Sequence, residues 1–186
     1  MILLIFLLVA LVVALLTGGR LTHLAETPIR LGYLILVALW LQIMIFSTWW
    51  QAGAVRAGYT GPLYILSLAI LLWAVWLNRH VPGILVIGAG LLLNALVIVA
   101  NGGAMPASLD ALKAAGILQP DATFESLRVT NSSLIQEGTP LWFLGDIFAV
   151  PGYIPLANVF SAGDIVIGVG GFYFLLANSR PREQAA

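Results

Sequence analysis

Five apolar runs, at about 2–16, 31–50, 62–77, 83–100 and 159–178, are separated by polar connections, and this pattern sets the frame of the chain. Each run approaches the roughly 20 apolar residues that a helix needs to cross a hydrocarbon core about 30 Å thick. The pattern predicts an all-α polytopic integral membrane helix bundle, one membrane domain over 1–186 with about five transmembrane helices. A polar stretch covers about 101–138, the only long one in the chain. After it, 140–150 is apolar but would measure about 16 Å as a helix, too short to cross. Bounded by Pro140 and Pro151, it is expected as a re-entrant or interfacial helix. The first run could be read as the apolar part of a signal peptide. No Lys or Arg precedes it, and no small-x-small site comes before Thr17-Gly18-Gly19-Arg20, so an uncleaved first span is expected.

Composition narrows the partners. The chain is 61% hydrophobic and 9% charged, with a mean hydropathy of +1.02, which leaves no polar surface for a water-soluble fold. The lipid bilayer is therefore the expected surrounding. A formal net charge of zero gives no electrostatic footprint for nucleic acid. The absence of cysteine removes disulfides, thiolate nucleophiles, iron–sulfur ligation and cysteine-bound zinc. His23 and His80 lie in polar connections, outside any metal-ligand spacing, so neither a metal nor a cofactor is expected.

Polar residues inside the runs are few. Gln42 and Asn94 are expected to bond neighbouring helices, with Gly88 and Gly90 permitting close backbone approach. Trp49 and Trp50 mark one interfacial belt, and Trp73 and Trp76 another. Ser108 to Ala115 predicts one short capped helix, and the remainder of the polar stretch, with Pro120, Asn131, Ser132 and Ser133, reads as loop. Arg20, Arg30, Arg79, Arg180 and Arg182 crowd the short connections and the tail, whereas Arg56, Lys113 and Arg128 are spread over longer chain. Basic short loops stay cytoplasmic. The expected topology in the cell membrane is N-terminus outside and C-terminus cytoplasmic.

The candidate chemistry lies in two Gly-Asp-Ile triplets, which place Asp146 and Asp164 eighteen residues apart beside apolar runs on the expected outer face. An acid at a membrane edge marks a functional site by default. One reading is structural: Ser161 as N-cap puts Asp164 at the third helical position, where a carboxylate meets free backbone N–H groups and the positive helix end. That account suits Asp146 less well, because it falls late in its segment. The other reading joins them, since two close carboxylates cannot both ionise and can act as general acid and base around one water. Asn101-Gly102-Gly103-Ala104-Met105-Pro106, at the outer end of the fourth run, either caps a helix or supplies Asn101 to the same site.

The sequence N-G-G-x-M-P, a polar loop, L-G-D-I, a Pro-rich turn and S-A-G-D-I-V-I-G-V-G resembles an uncharacterised family of bacterial multi-pass membrane proteins. The same half is similar, more loosely, to the C-terminal part of lipoprotein signal peptidases (signal peptidase II). That resemblance implies catalytic roles for Asp146 and Asp164, with Asn94 matching the Asn that ends a Gly-rich segment. It also places Asn158 and the N-capping Ser161 in the segment that opens the last span. The D-R pair expected after Asn94 is replaced by A-L-V-I-V-A, Asn158 and Asp164 are six residues apart rather than three, and no serine follows Asp164. Three functions remain open. One is an aspartyl membrane hydrolase acting on a membrane peptide or lipid-linked substrate. Another is a non-enzymatic accessory, assembly or binding protein working with other membrane subunits. A transporter or channel subunit is the third, with few polar residues to line a path.

Overall fold

The apolar runs are long enough to sustain three to five helical turns, and each forms a helix in the computed structural model, which describes residues 2–118 and 132–180. The long helices are α1 (Ile2–Leu16), α3 (Tyr33–Ile45), α6 (Thr60–Leu77), α7 (Ile84–Ala100) and α9 (Ala162–Asn178). Short helices α2 (Leu21–Ala25), α4 (Thr48–Gln51), α5 (Ala54–Gly58) and α8 (Leu109–Ala114) lie in the connections. The strands are β1 (Met105–Ala107), β2 (Ser132–Leu134), β3 (Phe148–Val150) and β4 (Asn158–Phe160). Among the described helices, α6 alone is long and apolar enough to cross a membrane by length and composition; α1, α3, α7 and α9 are apolar but shorter. The five spans expected from the sequence are not matched by five helices of spanning length. The reason is visible at α3: the run 31–50 breaks where Ser47 caps α4, its Oγ accepting from the Trp50 N–H at 3.3 Å. Trp49 and Trp50 therefore belong to a separate short helix.

The long helices pack as a row in the order α3, α6, α7, α9, α1. Successive helices in the chain reverse direction, so the row has two distinct ends. At one end, the Arg20 N–H donates to the Ser179 carbonyl at 2.7 Å, Asn178 Nδ2 donates to the Pro82 carbonyl at 3.2 Å, and Asn78 meets Arg30. The other end gathers the start of α6, the end of α7, the strands and the start of α9. Small residues set the α7–α9 contact: a Cβ on Gly90 would stand 2.5 Å from the Gly163 carbonyl oxygen, and one on Gly170 would stand 2.5 Å from the Ile87 nitrogen. Backbone-to-backbone packing of this kind brings the two helices into close van der Waals contact. Gln42 Nε2 donates to Ser67 Oγ at 3.0 Å, the inter-helix bond expected of a lone amide. Leu68, Ala95, Val97, Ile98 and Met105 form a core between α6, α7 and β1. Outward faces carry exposed Leu36, Ile43, Leu66, Leu92 and Val169.

The helix expected over 140–150 is replaced by a 3-10 turn at Trp142–Leu144 followed by β3. Leu141 takes a left-handed backbone (φ 52) and Gly145 an extended one, so helical hydrogen bonding cannot propagate. The Asp146 N–H instead donates to the Pro106 carbonyl at 2.8 Å, and the Ser108 N–H donates to the Asp146 carbonyl at 3.0 Å. Ser132 and Ser133, expected in loop, lie in β2, which pairs in parallel with β1 in the register Met105 to Ser132. Strands β3 and β4 pair antiparallel. The loop reading of Pro120 and Asn131 and the charge assignments of Arg128 and Arg182 lie outside the described residues.

Asn78 fastens the opposite end. It is buried, donates from Nδ2 to the Arg30 and Ala74 carbonyls at 2.9 and 2.8 Å, and accepts the Arg30 N–H at 2.7 Å. Asn78→Leu keeps the branched shape of the side chain but strands two backbone groups of Arg30. We expect it to cost about 2 kcal/mol, read as a lower thermal unfolding midpoint of the purified protein; an unchanged midpoint would show that Arg30 finds other partners.

Candidate functional site

Helix α9 begins with a reciprocal cap. Ser161 Oγ accepts the Asp164 N–H at 3.0 Å, and Asp164 Oδ2 accepts the Ser161 N–H at 3.1 Å. This satisfies two backbone donors and places a carboxylate at the positive helix end. Asn94, one turn and a half before the end of α7, completes the cluster: its Nδ2 donates to Asp164 Oδ1 at 2.9 Å, and its Oδ1 accepts from Ser161 Oγ at 2.8 Å. Ser161 is fully buried. The Asn94 side chain can reach this position because residue 163 is glycine; any Cβ there would collide with Asn94 Oδ1. The second Gly-Asp-Ile triplet thus owes its glycine to helix packing around a hydrogen-bonded amide.

The first triplet owes its glycine to something else. Gly145 lies against the Pro106 carbonyl with no room for a side chain, and this approach lets Asp146 pair with Ala107 at the edge of β1. The N-G-G-x-M-P segment builds that edge. Asn101 ends α7, Gly102 and Gly103 take positive φ (67° and 95°), and Gly103 packs directly on Gly61 at the start of α6. Met105 and Pro106 are then buried in the core as β1.

Asp146 is half-buried, and among the described residues no hydrogen bond reaches its carboxylate. Burial, followed by the charge of Asp164, pushes its pKa up to about 7. The two aspartates therefore stand in unlike environments: Asp164 has three hydrogen bonds to its backbone and side-chain groups, whereas Asp146 has a bonded backbone and a free carboxyl. Tyr64, in the first turns of α6, is in electrostatic reach of both and packs on Phe46 edge to face at 4.9 Å. Sequence reasoning missed Tyr64; its place one turn after Thr60-Gly61-Pro62, at the same end as the aspartates, was the available signal.

The structure joins Asn94, Ser161 and Asp164 by hydrogen bonds; among the described residues no hydrogen bond links the Asp146 carboxyl to them, and the charge of Asp164 is only the second cause of its raised pKa. Asn101 is elsewhere employed: its Nδ2 donates to the Val97 and Pro140 carbonyls at 2.8 and 2.9 Å, tying α7 to the segment that leads to Asp146. Asn158 lies in β4 opposite Val150 and makes no hydrogen bond to either aspartate among the described residues. His23 Nδ1 lies 3.1 Å from the Ser179 carbonyl at the far end. No group of three or more His, Cys, Asp or Glu able to hold a metal occurs among the described residues.

The chain belongs to the Family of unknown function (DUF5317), whose family model matches residues 26–176. It is also similar to a protein of Thermotoga maritima described as uncharacterized, at 32% identity over 124 residues. That match covers 64% of this chain and 66% of the relative, so the chain spans just under two thirds of that protein's length. No solved structure matches.

Proposed function

We propose that this member of the DUF5317 family is a multi-pass membrane protein carrying an aspartate-pair acid–base site at its outer face, acting hydrolytically on a membrane peptide or lipid-linked substrate. The observation that carries the site is the inequality of the two carboxyls. Asp146 holds a proton up to about pH 7 and has no partner for it among the described residues, which suits a general acid. Asp164, held by Asn94 and Ser161, serves as the carboxylate that orients and deprotonates a water. The pair needs neither metal nor thiol.

The membrane reading rests on the apolar outward faces of all five long helices. Helices of 13 to 18 residues, about 20–27 Å, are short for a 30 Å core, and local thinning of the bilayer accommodates the difference. In this reading the chain crosses five times, and the gathering of Arg20, Arg30, Arg79 and Arg180 at one end supports a cytoplasmic assignment for that end. The aspartates then face outward.

A second reading has its own support. The capping box and the Asn94 bond account fully for Asp164 as a structural residue, which fits a non-enzymatic accessory or assembly protein. Asp164→Asn separates the two. Asparagine keeps one acceptor oxygen, enough for the Ser161 cap bond, and loses the one that accepts from Asn94, so the unfolding midpoint should fall by the equivalent of about 1–2 kcal/mol while the chain still folds. Hydrolysis of membrane-embedded peptides by the reconstituted protein should fall about a hundredfold or more, the scale of lost acid–base catalysis. Wild-type hydrolysis surviving in that variant would sink the enzymatic reading.

A further inference from the structure

The row of helices is open. Packing runs from α3 through α6, α7 and α9 to α1, and no extensive contact links α1 to α3 across the gap. Inside the curve lies an apolar cleft of about 330 Å³, lined by Leu39 of α3, Leu71 of α6, Ile84, Ile87 and Leu91 of α7, and Ile167 of α9. Its size falls at the lower end of small-molecule sites, roughly 300–1,000 Å³.

Two features define what fits. The cleft has a direction. Leu91 and Ile167 each stand three residues, or about one turn, from Asn94 and Asp164, so its upper end stops about one turn short of the hydrogen-bonded cluster. Its lower end stops at Asn78, the one polar residue on the wall among the described residues, whose amide is committed to Arg30 and Ala74. From Ile84 to Leu91 the wall extends about 10 Å. Along its length the cleft offers a ligand apolar side chains, and the nearest polar groups beyond its upper end are those of the Asn94–Asp164 cluster.

We propose that this cleft seats one acyl chain of a membrane lipid, with the polar end of that lipid at the Asn94–Asp164 end. The proposal rests on the membrane reading given above and names the hydrocarbon chain as the feature by which the site recognises its ligand. The gap between α1 and α3 is the lateral entrance. Exposed Leu39 borders it, and a chain can pass from the bilayer without leaving apolar surroundings.

The test uses the full chain in vesicles of phosphatidylethanolamine and phosphatidylglycerol, doped with a phosphatidylcholine whose palmitoyl chain bears a diazirine. After illumination, the labelled residues are mapped by mass spectrometry. Labelling is expected to concentrate on cleft residues such as Leu39, Leu71 and Ile87. Leu39→Trp at the entrance and Ile87→Phe on the wall should each reduce cleft labelling at least fivefold. Leu36→Trp, on the exposed outer face of α3, should leave it unchanged. If Ile87→Phe fails to fold, Leu39→Trp decides alone, because its position is already 44% exposed. Labelling spread evenly over outward residues such as Leu36, Leu92 and Val169 would overturn the proposal, as would full cleft labelling in Leu39→Trp. Carbonate extraction of the same membranes separates the two levels: release of the chain defeats the membrane reading itself, whereas retention with even labelling defeats only the cleft.

Discussion

Gly90→Ala is expected to destabilise the protein by on the order of 3 kcal/mol and to disrupt the Asn94–Asp164 bond with it. In an isolated helix the same change would help by up to about 1 kcal/mol, because alanine has the higher helix propensity. Here the added Cβ would stand 2.5 Å from the Gly163 carbonyl oxygen, 2.7 Å from the Ile167 nitrogen and 2.8 Å from the Ile167 side chain. Two of those three are backbone atoms of α9, so no rotamer change relieves the overlap and the helices must separate. Separation lengthens the 2.9 Å bond from Asn94 to Asp164, the link that holds the site across the two helices. Thermal unfolding of the purified variant checks the first effect. Gly58→Ala provides the comparison: it is also helical, but its Cβ would meet nothing within 4 Å, so its midpoint should stay close to that of the parent. Equal midpoints for the two variants would show that α7 and α9 are not in backbone contact.

The helices were legible because apolar runs this long exceed the usual length of a strand. The expected 83–100 became Ile84–Ala100, and 159–178 became Ala162–Asn178. The capping box at Ser161 and Asp164 was readable as a local pattern four residues long. What the sequence concealed were the non-local pairings. Phe148–Val150 and Met105–Ala107 are three-residue strands with no alternation long enough to detect. Apolar 140–150 looks helical until Gly145 is brought against Pro106 by a glycine turn forty residues earlier. The two Gly-Asp-Ile triplets resemble each other in sequence, yet one sits on a strand edge and the other in a helix cap. Likewise Asn101 was singled out for the site, but its amide binds the Pro140 carbonyl and acts on Asp146 only by fixing the chain that carries it.

Stability should fall as pH rises from about 4 to about 7, and Asp146→Asn should remove that fall. In the folded protein Asp146 keeps its proton to about pH 7, whereas in the unfolded chain it releases it in the ordinary carboxylate range near 4. Between those values the native state binds more protons than the unfolded state, so the slope of unfolding free energy with pH is negative. The contribution is most favourable below the unfolded pKa, declines through the window, and is flat above about 7. With the carboxyl only half-buried, the total decline is about 2–4 kcal/mol. An amide at this position cannot ionise, so Asp146→Asn should show a flat profile for this component and exceed the parent in stability at pH 8. Asp164→Asn acts differently. It removes the second cause of the raised pKa and leaves burial, the larger one, so the decline should persist with its upper limit moved below pH 7. Unfolding midpoints from pH 4 to 8 for the three proteins decide the matter. A decline that survives Asp146→Asn unchanged would assign it to another group and remove the basis for Asp146 as the proton-holding partner of the pair.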